Sequence, residues 1–369
     1  MTHTAQAADA EYNAGSGSDA GGQGSANGRL ATAPGEPVPG GVSGGAAAVE
    51  PVPLDEVAPA ALRIVENIER VIAGKYEVIR LGVTVLLAEG HLLIEDVPGV
   101  GKTTFAKALA RSIDCSVRRL QFTPDLLPSD VTGVSIYNAE STDFEFKPGP
   151  IFANIVLGDE INRASPKTQA ALLECMAERQ VTVDGTRYEL QSPFLVLATQ
   201  NPVEMEGTYA LPEAQRDRFT AKISLGYPDR MAEIAMLSDQ TTTDPLASLQ
   251  PVSDAVHIRS LIESVRRVHV VDSVKHYVVA LVEATRAHPE LRLGASPRGS
   301  LHLLRTAKAV AAMAGRDYVV PDDVQQLAVP VLAHRLIPAA TATVAGRSPE
   351  DITAEVVAKV PIPAASQRS

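Results

Sequence analysis

The chain has 369 residues, 44 acidic against 33 basic side chains for a net charge of −11, 45% hydrophobic and 4% aromatic residues, no tryptophan and two cysteines. At roughly 100–200 residues per domain this length accommodates two or three domains with a proper core, and the acidic excess argues against a broad nucleic-acid surface, which needs a basic face. Cys115 and Cys175 are too few and too isolated for a disulfide scaffold or a zinc site and read as small buried apolar residues.

No run of about 18 apolar residues is present to cross a membrane; the richest, Leu81 to Ile94, is broken by Glu89, Gly90 and His91. The opening Met-Thr-His-Thr carries neither a basic region nor an apolar segment, so no secretory signal is expected and a reducing cytosol is the expected compartment. Residues 1–52 hold eleven of the 26 glycines by residue 50, with much alanine, serine and proline and hardly a large apolar side chain. Such a segment cannot offset its ordering entropy by burial and is expected to be a disordered tail.

Residues 53–226 read as an α/β nucleotide-binding domain, because apolar runs of strand length alternate with helix-period segments. His91–Ile94, Val117–Phe122, Ala153–Leu157, Phe194–Ala198 and Ala221–Leu225 are the expected strands. The expected helices include Thr103–Ile113, with Phe105, Leu109 and Ile113 on one face, and Pro166–Glu178 behind Ser165 as its N-cap. Two hairpins look inserted. Residues 131–148 place Val134, Ile136, Phe144 and Phe146 in period two around a polar turn, and residues 181–190 turn at Asp184-Gly185. Residues 227–369 then show helical patterns at 229–240, 253–268, 273–287, 297–314 and 322–336, a short helix within 348–363, and no strand signal. This segment is expected to be an all-α domain with an extended closing end.

The strongest chemical signal follows the first strand, in Asp96-Val-Pro-Gly-Val-Gly-Lys-Thr-Thr104. Gly99 and Gly101 let backbone amides approach phosphate oxygens, and the helix that opens at Gly101-Lys102-Thr103 adds the positive end of its dipole. Pro98, Gly99, Val100, Gly101, Lys102, Thr103 and Thr104 form the expected phosphate cradle, with Lys102 at the β- and γ-phosphates and the Thr103 hydroxyl on a magnesium ion. The strict pattern has glycine where Asp96 stands. A second signal is Ile155-Val-Leu-Gly-Asp159-Glu160, an apolar strand ending in two carboxylates at the edge where α/β sheets bind ligands. Asp159 is suited to hold Mg2+ through water, and Glu160 to polarise the water that attacks the γ-phosphate of ATP.

Three strings together carry a resemblance: Glu95-Asp-Val-Pro-Gly-Val-Gly-Lys-Thr-Thr, Asp159-Glu-Ile-Asn-Arg-Ala-Ser-Pro-Lys-Thr-Gln-Ala-Ala-Leu-Leu-Glu174, and the stretch from Ala198-Thr-Gln-Asn-Pro-Val-Glu to Arg216-Asp-Arg-Phe219. Over residues 55–363 the chain resembles the MoxR family of AAA+ ATPases. The resemblance implies a five-stranded parallel sheet in the order 5-1-4-3-2, a helical lid, and a ring, expected to be hexameric, with ATP between neighbouring subunits. It implies that Asn201 is the polar sensor that positions the attacking water. It further implies that Arg218 is an arginine finger entering the neighbour's site, and that Arg298 is the lid arginine called sensor 2. The family usually has an apolar residue where Arg216 stands, which leaves the choice between Arg216 and Arg218 open. Val71 and Ile72 are candidates for an adenine pocket or for ordinary helix core, and the 131–148 hairpin for a pore element or a covering flap. His334 and Arg335 read as lid packing.

The family implies chaperone-like remodelling or metal-loading of client proteins with a von Willebrand factor A domain partner. A magnesium-chelatase-like or DNA-linked motor, and a nucleotide-gated scaffold with little turnover, are the alternative readings. The acidic balance speaks against DNA, and the presence of Glu160 and Arg218 against a scaffold.

Overall fold

The computed structural model describes residues 49–201, 209–228, 230, 231, 233, 234 and 245–363. Residues 1–48 of the expected 1–52 tail, most of the expected 229–240 helix and the 202–208 part of the third family string lie outside the described residues. Five parallel strands build the central sheet: β1 (Leu92–Glu95), β2 (Val117–Gln121), β5 (Ile155–Asp159), β8 (Leu195–Gln200) and β9 (Ala221–Ile223), in the order β2-β5-β8-β1-β9. Counted as sheet strands this is the expected 5-1-4-3-2.

Both faces of the sheet are covered over the central strands β1, β5 and β8, which therefore read as buried apolar runs up to their carboxyl ends, whereas the edge strand β2 exposes Arg118, Arg119 and Gln121. Leu92, Ile94, Ile155, Leu157, Leu195 and Leu197 face one cluster, with α1 (Leu54–Glu69), α2 (Tyr76–Leu87) and α3 (Lys102–Ser112). The intervening Leu93, Val156, Val196 and Ala198 face the other, with Val131 of the short α4 (Pro128–Thr132) and with α5 (Pro166–Glu178). Phe105, Leu109 and Ile113 are all fully buried, as the helical period requires. Ser165 caps α5 by accepting the Thr168 amide at 3.3 Å. The α2 helix has no counterpart among the expected elements. Gly82, Val83, Thr84, Val85, Leu86 and Leu87 are consecutively buried, which erases the helical periodicity.

The inserted hairpins pair outside the sheet, β3 (Gly133–Asn138) with β4 (Asp143–Pro148) and β6 (Gln180–Val183) with β7 (Thr186–Glu189). Phe146 stacks on Tyr188 at a centroid distance of 4.1 Å and joins their bases. Tyr137 and Phe144 continue towards the β3–β4 tip, largely exposed.

Beyond residue 226 the helices Ala255–Arg266, Asp272–Ala287, Pro297–Met313, Pro321–Leu332 and Pro349–Lys359 extend the cluster that covers α1 and α2. Two expectations need correction. Leu291–Leu293 pairs antiparallel with Ile337–Pro338, a strand pair too short to produce a period-two signal. The helix expected to reach Leu336 ends at Leu332, after the internal Pro330, and a 3-10 turn Ala333–Arg335 follows. The turn brings His334 and Arg335 under β9, where the His334 Nε2 lies 3.1 Å from the Phe219 carbonyl oxygen.

Burial keeps three imidazoles neutral. It lowers His91 to about 4 and His302 to about 3, the second aided by the Arg335 charge, and holds His334 well below its usual 6.5. The unfolded chain takes up protons near 6.5 while the folded one does not. Stability from these sites is therefore complete above 6.5 and falls as pH drops towards 4 and 3, by about 1.4 kcal/mol per site per pH unit. Melting temperatures one unit above and one unit below 6.5 are expected to differ, the lower value at the acid pH; equal values would remove the imidazoles from the stability account. Burial also raises both thiols to about 12, which makes Cys115 and Cys175 poor nucleophiles at neutral pH.

Candidate nucleotide site

In a parallel sheet all strands end at one edge, and the site is built there. The loop after β1 begins at Asp96 and turns into α3 through Gly99 (φ +85°) and Gly101 (φ +96°), left-handed conformations that glycine adopts without strain. A Cβ at either glycine would meet no atom within 4 Å, so the loop bounds open space. No side chain caps the start of α3, which leaves its first amides directed at that space, the arrangement that binds phosphate. Lys102 folds back, its Nζ donating to the carbonyl oxygens of Asp96 (2.9 Å) and Val97 (3.3 Å). Thr103 and Thr104 are half-buried in the first turn, and Pro98 and Gly99 are exposed at the loop crest. Val71 and Ile72, in the turn after α1, pack with Val100 of the loop on one apolar cluster.

Asp159 ends β5, two strands from β1 and so about 10 Å across the sheet. Its carboxylate is held on two sides: the Thr199 hydroxyl donates to Oδ1 at 2.6 Å, and the Arg119 guanidinium donates to Oδ2 at 2.6 and 3.1 Å. The same Thr199 oxygen accepts the Glu160 amide at 2.9 Å. Glu160 is one of the few non-glycine residues with positive φ (+58°), a conformation that costs on the order of 1–2 kcal/mol and turns its side chain out of the strand direction. Its Oε2 accepts from Gln121 and from Arg163, each at 3.0 Å. Asn201 follows β8 at the same edge and is buried.

The structure thus brings together Lys102, Thr103, Asp159, Glu160 and Asn201. It places Arg218 and Arg298 elsewhere. Arg218 precedes β9, where Ala221 is level with Leu92, so about 13 Å of strand separates that level from the start of the nucleotide loop. Its guanidinium rests on the Leu173 carbonyl oxygen and lines a cavity of about 470 Å³ with Glu174, Glu178 and Gln215. Arg298 is exposed in the first turn of the Pro297–Met313 helix, close to the Arg218 segment. There the Ser296 hydroxyl donates to both Asp217 oxygens at 2.8 Å and accepts the Arg298 amide at 3.1 Å. Asp217 does not pair with either adjacent arginine; its ion-pair partner is the buried Arg335.

The family model "ATPase family associated with various cellular activities (AAA)" matches residues 91–221, and the model "AAA lid domain" matches residues 283–356. Chaperone MoxR1 of Mycobacterium tuberculosis is 40% identical over 354 residues, which cover 93% of this chain and 91% of that protein. The chain belongs to the MoxR family of AAA ATPases. Protein YeaC of Bacillus subtilis is 52% identical over 309 residues, 84% of this chain and 97% of YeaC. A crystal structure of a Cytophaga hutchinsonii protein superposes with a TM-score of 0.78 at 39% identity, covering 84% of this chain and 96% of that one.

In this MoxR-family ATPase, sequence reasoning missed the residues that hold the two carboxylates. Arg119 and Gln121 are two apart on β2, the period that puts both on one sheet face beside the end of β5. Thr199 is the first polar residue after the apolar run of β8. Those signals were present, but only the sheet order shows that β2 and β8 flank β5.

Proposed function

We propose that the chain hydrolyses ATP as a ring, expected to be hexameric, with each nucleotide held by the nucleotide loop of one subunit and completed by Arg218 of the next, and that the cycle drives chaperone-like remodelling or metal-loading of a client. The observation that carries this is the division of the site: phosphate-binding and water-activating groups meet at the edge where strands end, while Arg218 lies at the edge where they begin and cannot serve its own subunit's loop.

On this reading the amides from Gly99 to Thr104 bind the β- and γ-phosphates while Pro98, which has no N–H, shapes the loop, and Lys102 exchanges its two loop carbonyls for phosphate oxygens. Thr103 and Asp159 offer the oxygen donors that suit Mg2+, which when bound would neutralise phosphate charge. Thr199 fixes the Asp159 oxygen and the Glu160 amide together. Glu160 takes the proton of the attacking water, and Asn201 orients that water. Val71 and Ile72 supply an apolar wall for adenine, Arg218 crosses to the neighbour's γ-phosphate, and Arg298 adds charge at the same junction.

The name of MoxR1 supports a chaperone role, and the family resemblance supports a partner with a von Willebrand factor A domain. Cytoplasmic placement agrees with there being no helix among the described residues long and apolar enough to cross a membrane. The domain division proposed is a 1–52 tail, a 53–226 nucleotide-binding domain and a 227–369 lid.

Sedimentation and fluorescent-nucleotide binding test the reading. The wild-type chain is expected to bind ATP and assemble, and Lys102→Ala to lose at least about 10-fold in affinity, since a charge-assisted contact to phosphate contributes about 1.5–3 kcal/mol. Equal binding by both proteins would overturn the site.

A further inference from the structure

The Asp96 carboxylate is turned away from the phosphate cradle, although the residue stands at the first position of the nucleotide loop, where the strict motif has glycine. It is buried, and its carboxylate accepts from the Ser224 hydroxyl at 3.1 Å and from the amides of Leu225 at 2.5 Å and Gly226 at 3.1 Å. These three residues are where the chain leaves β9. At the opposite end, where the chain enters β9, Asp217 accepts from Ser296 and Arg335. Arg335 also donates to the Asp217 and Phe219 carbonyl oxygens, its side chain 1% exposed. Ser296 is the N-cap of the helix that carries Arg298, and Arg218 is the residue next to Asp217.

β9 is therefore a three-residue edge strand, paired on one side with β1 only, and fastened at each end by a carboxylate. One fastening belongs to the subunit's own nucleotide loop. The other holds the two arginines of the opposite edge in one rigid group. A strand so short, held by its ladder with β1 and by a carboxylate at each end, offers a direct packed connection between its two ends.

We propose that β9 is a connecting rod that carries the occupancy of a subunit's own nucleotide loop to the arginines it presents to its neighbour, with Asp96 and Asp217 as positioning residues at its two ends. The inference rests on the trans role of Arg218 stated above. Neither carboxylate needs to touch nucleotide. The Asp96 side chain is turned to the exit of β9, and Asp217 is bound to Ser296 and Arg335.

The test uses rings of the full chain doped with increasing fractions of Glu160→Gln subunits, in which turnover per competent subunit is followed together with ATP affinity. In the wild-type background turnover is expected to fall more steeply than the fraction of competent subunits, because a stalled site slows its neighbour. Asp96→Gly, which restores the glycine of the strict motif, is expected to keep ATP affinity within about twofold. It should lower turnover about 10- to 100-fold through misplacement of the arginines, and make the doping curve proportional. Ser296→Gly, which retains most N-cap stability while losing the hydroxyl, is expected to make the curve proportional as well. Ser296→Thr, with the hydroxyl restored, returns it to the wild-type form. A steep curve in both glycine variants, or a proportional curve in the wild type, overturns the rod. Wild-type turnover in Arg218→Ala would instead overturn the trans assignment on which it rests, so the two failures are distinguishable.

Discussion

Glu160→Gln is expected to stop turnover while leaving ATP bound. The amide is nearly isosteric with the carboxylate, and its oxygen can still accept from Gln121 and Arg163, so the local structure is kept. It cannot take a proton from water, and the loss expected for removing a general base is about 10²–10⁴-fold in kcat. Phosphate release measures the loss, and equilibrium binding of labelled ATP measures what remains. The left-handed backbone of Glu160 sharpens the expectation. A strained conformation at a non-glycine residue persists only where the surroundings impose it, and here the Thr199 hydroxyl receives the Glu160 amide. A wild-type rate in this variant would move the base role to another group. The same variant, stalled with ATP, is the form in which to capture a client or a von Willebrand factor A domain partner.

The second large effect is expected at Arg218. Arg218→Ala should lose about 10³–10⁵-fold in kcat, the range associated with a finger that stabilises transferring phosphoryl charge. Its distinguishing feature is complementation. A subunit lacking Arg218 keeps Glu160 and can take the arginine of a neighbour, so mixing Arg218→Ala with Glu160→Gln should recover part of the rate that neither has alone. Mixed rings that stay inactive would remove Arg218 from the neighbour's site. Arg216→Ala belongs in the same series. Among the described residues the Arg216 Nε is buried without a hydrogen-bond partner, whereas the Arg218 guanidinium lines an open cavity at the surface. Both side chains are half-buried, so the comparison of the two variants decides which arginine reaches the neighbour.

The nucleotide loop and the acidic strand end could be read directly from the sequence because each is a local pattern: an apolar strand, a turn requiring positive φ, and a helix start, within a few residues of one another. The strands of the sheet could be read for a related reason. Burial on both faces makes the central strands β1, β5 and β8 apolar runs, and the helices between the strands have a distinct period. The α2 helix could not be read in this way, since six consecutive buried residues, Gly82 to Leu87, leave no polar face to mark a period. The short strand pair of Leu291–Leu293 with Ile337–Pro338 joins segments more than forty residues apart, and neither piece is long enough to show alternation.

Asp217 shows the limit most clearly. Its neighbours in the chain are two arginines, and proximity in sequence makes either a natural ion-pair partner. The folded chain gives it Arg335 and Ser296 instead. Adjacent side chains on an irregular segment diverge, while a buried guanidinium needs a carboxylate wherever the fold provides one. The same holds for Asp159, whose partners Arg119 and Thr199 come from the strands on either side of it.

Nucleoside triphosphate binding in an α/β fold is legible in the order of residues alone, because a phosphate cradle is made by backbone amides whose placement depends on a few contiguous positions. Which groups share an edge of the sheet follows from folding: Lys102 with Asp159 and Glu160 at one, Arg218 with Arg298 at the other, and Asp96 turned away from phosphate to hold the exit of β9. Strand order and the buried polar contacts between distant segments are fixed by packing, and packing is a property of the whole chain.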